Sequence, residues 1–201
     1  MNSKKRSFQP KPGSSIKVDP IRDPTSIARI KTNLEDKPRD LCLFTLGINT
    51  AYRGGELLSI TVGQVRNLGA GDTLELKQSK NKKYRATTLN PIVVAAIENW
   101  LNQHPYRDNA DSPLFLSAYR KDAITVSRLN HLVKRWCKGA GLAGNYGSHS
   151  LRKTWGYHQR VRNGTHIALL MVAFGHSTEK QTLSYLGIQT DEIKELFEME
   201  L

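Results

Sequence analysis

The chain has 201 residues, with 30 lysines and arginines against 18 aspartates and glutamates, for a formal net charge of +12. That length suits one sizeable core, and the basic excess points to a polyanionic partner, nucleic acid first. Cys42 and Cys137 form no disulfide framework or metal motif, no apolar run reaches membrane-spanning length, and no secretory signal or Gly-rich phosphate loop is apparent. The composition therefore argues against a secreted scaffold, a membrane span and an ATP-driven enzyme, and a reduced, cytoplasmic chain is expected.

Residues 1–17 carry five basic residues and no acid, with serine, proline and glycine, and are expected to form a basic flexible tail that is either a solvated linker or an arm on DNA phosphates. Residues 18–201 are expected to form one domain. Thr25 or Ser26 can cap a helix bearing Ile27, Ile30 and Leu34, and Pro38 suits the start of a second helix with Leu41, Leu43, Phe44 and Leu46. Arg53 follows at its end, and Gly54-Gly55 opens a short helix through Leu58. Leu74-Glu75-Leu76 alternates as a strand, with 84–89 as its antiparallel partner across a turn rich in lysine and asparagine that holds Lys80. Pro91–Leu101 and Thr125–Lys138 read as amphipathic helices. Helices near 149–162, 165–174 and 178–186 follow, broken at Gly164 and Gly175, and Asp191–Met199 closes the chain. The expected class is mainly α with a small antiparallel β-sheet (α+β).

Six residues stand out together: Arg53, Lys80, His149, Arg152, His176 and Tyr185. A guanidinium presents a planar donor fork to phosphate oxygens and stays charged at any working pH, so two arginines suit a phosphodiester. A phenol titrates near ~10 and becomes a nucleophile where its anion is stabilised. His149 precedes Arg152 by three residues, which puts both on one helical face, and an imidazole suits proton transfer or a hydrogen bond to phosphate. Glu56, three residues after Arg53, is expected to orient a basic neighbour. His104, His131, His158 and His166 have no such context, and they lack the carboxylate and cysteine neighbours of a zinc site. No cofactor and no metal are expected.

The order and spacing carry more than any one residue. Asn49-Thr50-Ala51-Tyr52-Arg53-Gly54-Gly55-Glu56-Leu57 is followed by Ser79-Lys80-Asn81-Lys82, His149-Ser150-Leu151-Arg152, Gly175-His176 and Tyr185 nine residues on. This series resembles the catalytic domain of the tyrosine recombinases, or phage integrases, over about residues 20–201. It departs from the usual pattern at Ala51, where glycine is usual. The resemblance implies that fold and a double-stranded DNA substrate read at a specific recombination site. It implies cleavage by Tyr185 to a 3′-phosphotyrosyl link and a free 5′-hydroxyl. Arg53 and Arg152 would bind the non-bridging oxygens, Lys80 would protonate the leaving oxygen, His149 would take the tyrosine proton or bind phosphate, and His176 would donate to a phosphate oxygen.

In such proteins recombination joins two duplexes and four protomers through a Holliday junction, so self-association on DNA, as a tetramer in the synaptic complex, is expected. The helix after the tyrosine often docks into the next protomer. Here Ile193, Leu196, Phe197 and Leu201 share one face of an acidic final segment, which either packs on its own core or makes that contact. Many members carry an N-terminal helical domain that clamps DNA, where this sequence has a short tail. Two other readings remain open at this point: a DNA-relaxing enzyme of the type IB topoisomerase kind, and a DNA-binding regulator without catalysis.

Overall fold

A computed structural model describes residues 18–77, 84–117 and 122–187, with residues 194, 197, 198 and 200 of the final segment. Residues 1–17, and residues 78–83 with Lys80 and the expected turn, lie outside the described residues.

Helix α1 (Pro24–Thr32) starts where Asp23, not Thr25 or Ser26, supplies the cap. The Asp23 carboxylate accepts from the backbone N–H groups of Thr25 and Ser26, each at 3.0 Å, and from both hydroxyls, which turns the two expected caps into donors. Proline opens α2 (Pro38–Gly47), which is buried continuously from Cys42 to Gly47. Its surroundings explain that run. A Cβ on Gly47 would lie 2.5 Å from Leu151 Cδ1, so glycine lets α2 lie directly against the later helix that carries Arg152.

After α2 come the short helices α3 (Gly54–Leu58) and α4 (Val62–Val65). Strands β1 (Thr73–Lys77) and β2 (Tyr84–Thr88) pair antiparallel, with Leu74 opposite Thr87 and Leu76 opposite Arg85. Asn90 caps α5 (Pro91–Leu101) and Thr125 caps α6 (Val126–Gly139). Helix α7 (Ser148–Tyr157) runs on into a π-helical segment, His158–Arg162. Helix α8 (Ile167–Phe174) ends at Gly175 in the left-handed conformation, φ 61°, and Thr178 caps α9 (Glu179–Leu186). The described residues are thus mainly helical with a two-stranded antiparallel sheet, as the sequence predicts; α4 is the one short element that it does not.

The large core gathers α2, α5, α6, the inward face of the sheet and Leu151. A second, smaller cluster holds Ala51, Leu170, Phe174 and Leu186, with Trp155, Ile167 and Tyr185 packed against it. Gly156 lets α7 approach this cluster, because a Cβ there would meet Phe174 and lie 2.6 Å from Leu186 Cδ2. The two clusters meet at Arg152. No helix among the described residues is long and apolar enough to cross a membrane.

Of the final segment, Lys194 and Glu198 form an i,i+4 ion pair at 3.2 Å, and Phe197 is exposed. Ile193, Leu196 and Leu201, the other members of the expected apolar face, lie outside the described residues.

Candidate active site

Two backbone carbonyls form the floor of the site. Ala51 lies between α2 and α3, and Phe174 ends α8. Arg152, only 2% exposed, reaches both from α7: one Nη donates to Ala51 O and the other to Phe174 O. Arg85 reaches the same pair from β2, with Nη1 at 3.1 Å from Ala51 O and Nη2 at 2.7 Å from Phe174 O. A carbonyl oxygen has two lone pairs, so each can serve two guanidinium groups. Ala51 has φ 55°, a left-handed conformation. That explains why glycine is usual here: an L-residue is strained by roughly 1–2 kcal/mol in this region. The turn is kept in spite of its methyl group because it aims one carbonyl at two arginines.

Glu56 ties Arg53 to the same floor. Its Oε2 accepts from the Arg53 backbone N–H at 2.7 Å and from Arg85 Nη1 at 3.2 Å, while Oε1 accepts from Arg53 Nη1 at 2.9 Å. The carboxylate therefore caps α3 through its own third residue and orients a guanidinium together. The Glu56 side chain is 6% exposed and that of Arg53 38% exposed, so the Arg53 head faces outward from a buried anchor. Two guanidiniums, of Arg53 and Arg85, pair with the one carboxylate, and Arg152 shares two carbonyls with Arg85, so the cluster carries excess positive charge suited to an anion.

Tyr185, on α9, packs its half-buried ring edge-on into the small cluster. Its centroid lies 5.3 Å from those of Phe174 and His176, and Arg152 Cζ is 5.9 Å from it. Phe174, fully buried, meets Trp155 edge-on at 5.4 Å and stacks on His176 at 5.1 Å, with Arg152 Cζ 4.7 Å above its ring. One phenylalanine thus sets the spacing of both rings and the arginine. The Tyr185 hydroxyl is buried and makes no hydrogen bond among the described residues. Burial raises its pKa; the nearby charge of Arg152, close but not aligned as a hydrogen bond, pulls it back.

His176 Nδ1 lies 3.0 Å from Thr182 Oγ1, a fully buried hydroxyl that also lies 3.3 Å from Thr178 O. Desolvation, then the charges of Arg152, Arg53 and Arg85, lower the His176 pKa to about 4, so the ring is neutral at physiological pH. His149 sits exposed at the mouth of the site, and desolvation with the charges of Arg152, Arg53 and Lys153 lowers its pKa as well. It is therefore ready to accept a proton. Burial brings the Arg152 pKa down to about 10, which leaves it charged at neutrality.

Of the six residues predicted from sequence, Arg53, His149, Arg152, His176 and Tyr185 gather in one place, and Lys80 lies outside the described residues. The sequence reading missed Arg85, Phe174 and Thr182. Arg85 had a legible signal, since it stands on the inward phase of β2, opposite Leu76, where an aliphatic residue is normal. Other histidines serve the fold: His104 Nε2 is 3.1 Å from Pro113 O, His158 Nε2 is 3.0 Å from Ile21 O, and His166 accepts from Ala168 N–H. Among the described residues no group of three or more His, Cys, Asp or Glu could hold a metal ion.

The family model of the phage integrase family matches residues 23–192. A probable integrase/recombinase, YoeC of Bacillus subtilis (strain 168), is 31% identical over 177 residues, which cover 87% of this chain and 92% of that protein. Tyrosine recombinase XerC of Caldanaerobacter subterraneus subsp. tengcongensis is 28% identical over 160 residues, 79% of this chain and 44% of that one. Among solved structures, the XerH site-specific recombinase bound to palindromic difH substrate, in a post-cleavage complex, superposes with a TM-score of 0.76. It is 20% identical and covers 92% of this chain and 54% of its own. The XerA recombinase superposes with a TM-score of 0.73 at 20% identity, over 89% of this chain and 64% of its own. The chain thus spans nearly all of the Bacillus relative but only about half of the XerC relative and of the XerH chain.

Proposed function

The chain belongs to the phage integrase family, and we propose that it is a site-specific DNA recombinase that breaks and rejoins strands through a covalent bond to Tyr185. The observation that carries this reading is the packing of the Tyr185 ring against His176 and beneath Arg152, beside a guanidinium cluster with a single carboxylate.

In the proposed step the Tyr185 oxygen forms a bond to phosphorus and the bond from phosphorus to the 5′-oxygen breaks, leaving a 3′-phosphotyrosyl ester. His149, neutral because its pKa is lowered, takes the phenol proton. Lys80 supplies a proton to the departing 5′-oxygen. Arg53 and Arg152 hold the non-bridging oxygens as charge builds on them, a role in which one preorganised donor is worth about 3 kcal/mol or more. In this reading the Thr182 hydroxyl, 3.0 Å from His176 Nδ1 and 3.3 Å from Thr178 O, donates its hydrogen bond to Nδ1, so the tautomer with its proton on Nε2 faces a phosphate oxygen. Reversal by a 5′-hydroxyl from another strand regenerates Tyr185 and completes exchange. The phosphotyrosyl ester conserves the bond energy, so rejoining needs no nucleotide.

The reaction requires two DNA duplexes at matched sites, held by four protomers. The relatives named as recombinases favour strand exchange over simple relaxation of supercoils. A plasmid carrying two candidate sites tests this directly. Excision or inversion between the sites supports the reading, whereas relaxation that is indifferent to sites and to protein stoichiometry sinks it.

A further inference from the structure

We propose that Arg85 is a positioning residue for strand cleavage: it neutralises Glu56 and so leaves the charge of Arg53 available to the scissile phosphate. The inference rests on the reading of Arg53 as a phosphate ligand.

The geometry separates Arg85 from the DNA. Its side chain is 7% exposed, and its two Nη atoms are engaged by Ala51 O, Glu56 Oε2 and Phe174 O. It is not placed to touch a phosphate itself. Its contacts are instead the atoms that hold the two arginines which are. Ala51 O and Phe174 O carry Arg152, and Glu56 carries Arg53.

Charge gives this arrangement a purpose. A phosphodiester carries one negative charge, and the pentacoordinate transition state carries about one more. Arg53, Arg85 and Arg152 against Glu56 give a net charge of +2, from three positive groups and one negative. If Arg85 cancels Glu56, Arg53 and Arg152 face the two negative charges. Without Arg85, Glu56 would turn its full charge on Arg53, 2.9 Å away, and the site would drop to +1. Burial strengthens each of these interactions, since the pairing lies in a low-dielectric interior. The position also matters along the chain. Arg85 lies on β2, the strand that follows Lys80 in the chain, so the same side chain fastens that strand to the phosphate site.

The test uses the full chain and a nicked recombination-site duplex in two forms, with the ordinary scissile phosphate or with a methylphosphonate there. The methylphosphonate lacks one charged oxygen, so it needs one less cation. Arg85→Lys and Arg85→Met are compared with wild type and with Arg53→Met, after melting curves establish that they fold. On the phosphodiester, Arg85→Met should form covalent adduct about 30- to 100-fold more slowly, somewhat less than the loss of a preorganised donor itself, whereas Arg85→Lys, which keeps the charge beside Glu56, should stay within about threefold of wild type. Their DNA affinity should stay within about threefold, because phosphate contacts dominate it. On the methylphosphonate, the Arg85 and Arg53 variants should all recover to within about threefold of wild type by the same charge argument. Equal defects on both substrates would overturn the proposal, as would failure of both Arg85 variants to fold, which would assign Arg85 to the core. Absence of any wild-type adduct on the phosphodiester would instead refute the underlying assignment of the site.

Discussion

Replacing Glu56 by glutamine keeps the side-chain volume and removes the one carboxylate of the arginine cluster. Three donors reach it: the Arg53 backbone N–H, Arg53 Nη1 and Arg85 Nη1. An amide offers one oxygen, so its NH2 faces a donor whichever way it is turned. Removing one partner of a buried pair costs about 3–5 kcal/mol. The Arg53 side chain is 38% exposed and recovers some solvation, so the lower end of that range applies, about 3 kcal/mol. For a domain of this size each kcal/mol moves the melting temperature by about 2–4 °C, which predicts a fall of about 6–12 °C. DNA should narrow the gap, because a bound phosphate supplies negative charge to the same guanidiniums. Urea unfolding and thermal melts, with and without duplex DNA, measure both effects. A loss below about 1 kcal/mol, or a gap that DNA leaves unchanged, would refute the view of Glu56 as the buried counter-charge of this site.

Ala51→Gly should be nearly neutral. Relief of about 1–2 kcal/mol of left-handed strain is offset by about 0.4–1 kcal/mol of unfolded-state entropy and ~0.8 kcal/mol for the buried methyl. Ala51→Val, β-branched at φ 55°, should destabilise by more than about 2 kcal/mol and slow cleavage, which denaturation and adduct assays would both register. Thr182→Val should slow cleavage with little change in DNA binding, and Thr182→Ser should restore it; if serine fails to rescue, the hydroxyl is not what orients His176. The lowered pKa of His176 links folding to pH. The folded ring resists protonation from 6.5 down to about 4, so its contribution is present above pH 6.5 and is lost as pH falls towards 4. His176→Gln should flatten the stability profile over that window, as urea unfolding at a series of pH values would show.

The grouping of the proposed site residues was legible because it depends on residue type and spacing. Arg53, His149, Arg152, His176 and Tyr185 each stand at a helix boundary or on a helix face that the apolar pattern marks, and the structure brings them together. What stayed hidden depends on the third dimension. Phe174 reads as one more apolar residue of α8, yet its carbonyl takes two guanidiniums and its ring spaces His176 and Tyr185. Thr182 reads as a polar helix residue, and only folding brings its hydroxyl to His176. Asp23 displaced Thr25 and Ser26 as the cap of α1 because a carboxylate accepts several donors and a hydroxyl brings a proton of its own. Arg85 is the instructive case. Its strand was predicted and its inward phase was a signal in the sequence, but among the basic residues of that segment an arginine reads as solvated, and only folding shows Glu56 and two carbonyls around it.

The central claim is that Tyr185 carries the broken strand. The most direct measurement incubates the protein with a duplex nicked near the candidate scissile phosphate, so that the short released fragment diffuses away and the intermediate persists. Protein bound to DNA through denaturing electrophoresis is then digested and the modified peptide mapped. The account predicts a DNA 3′-phosphate on Tyr185, formed in EDTA and without ATP, and absent from Tyr185→Phe, which retains DNA binding because the change removes no positive charge. An adduct that survives in Tyr185→Phe, or that maps to a different residue, would contradict it.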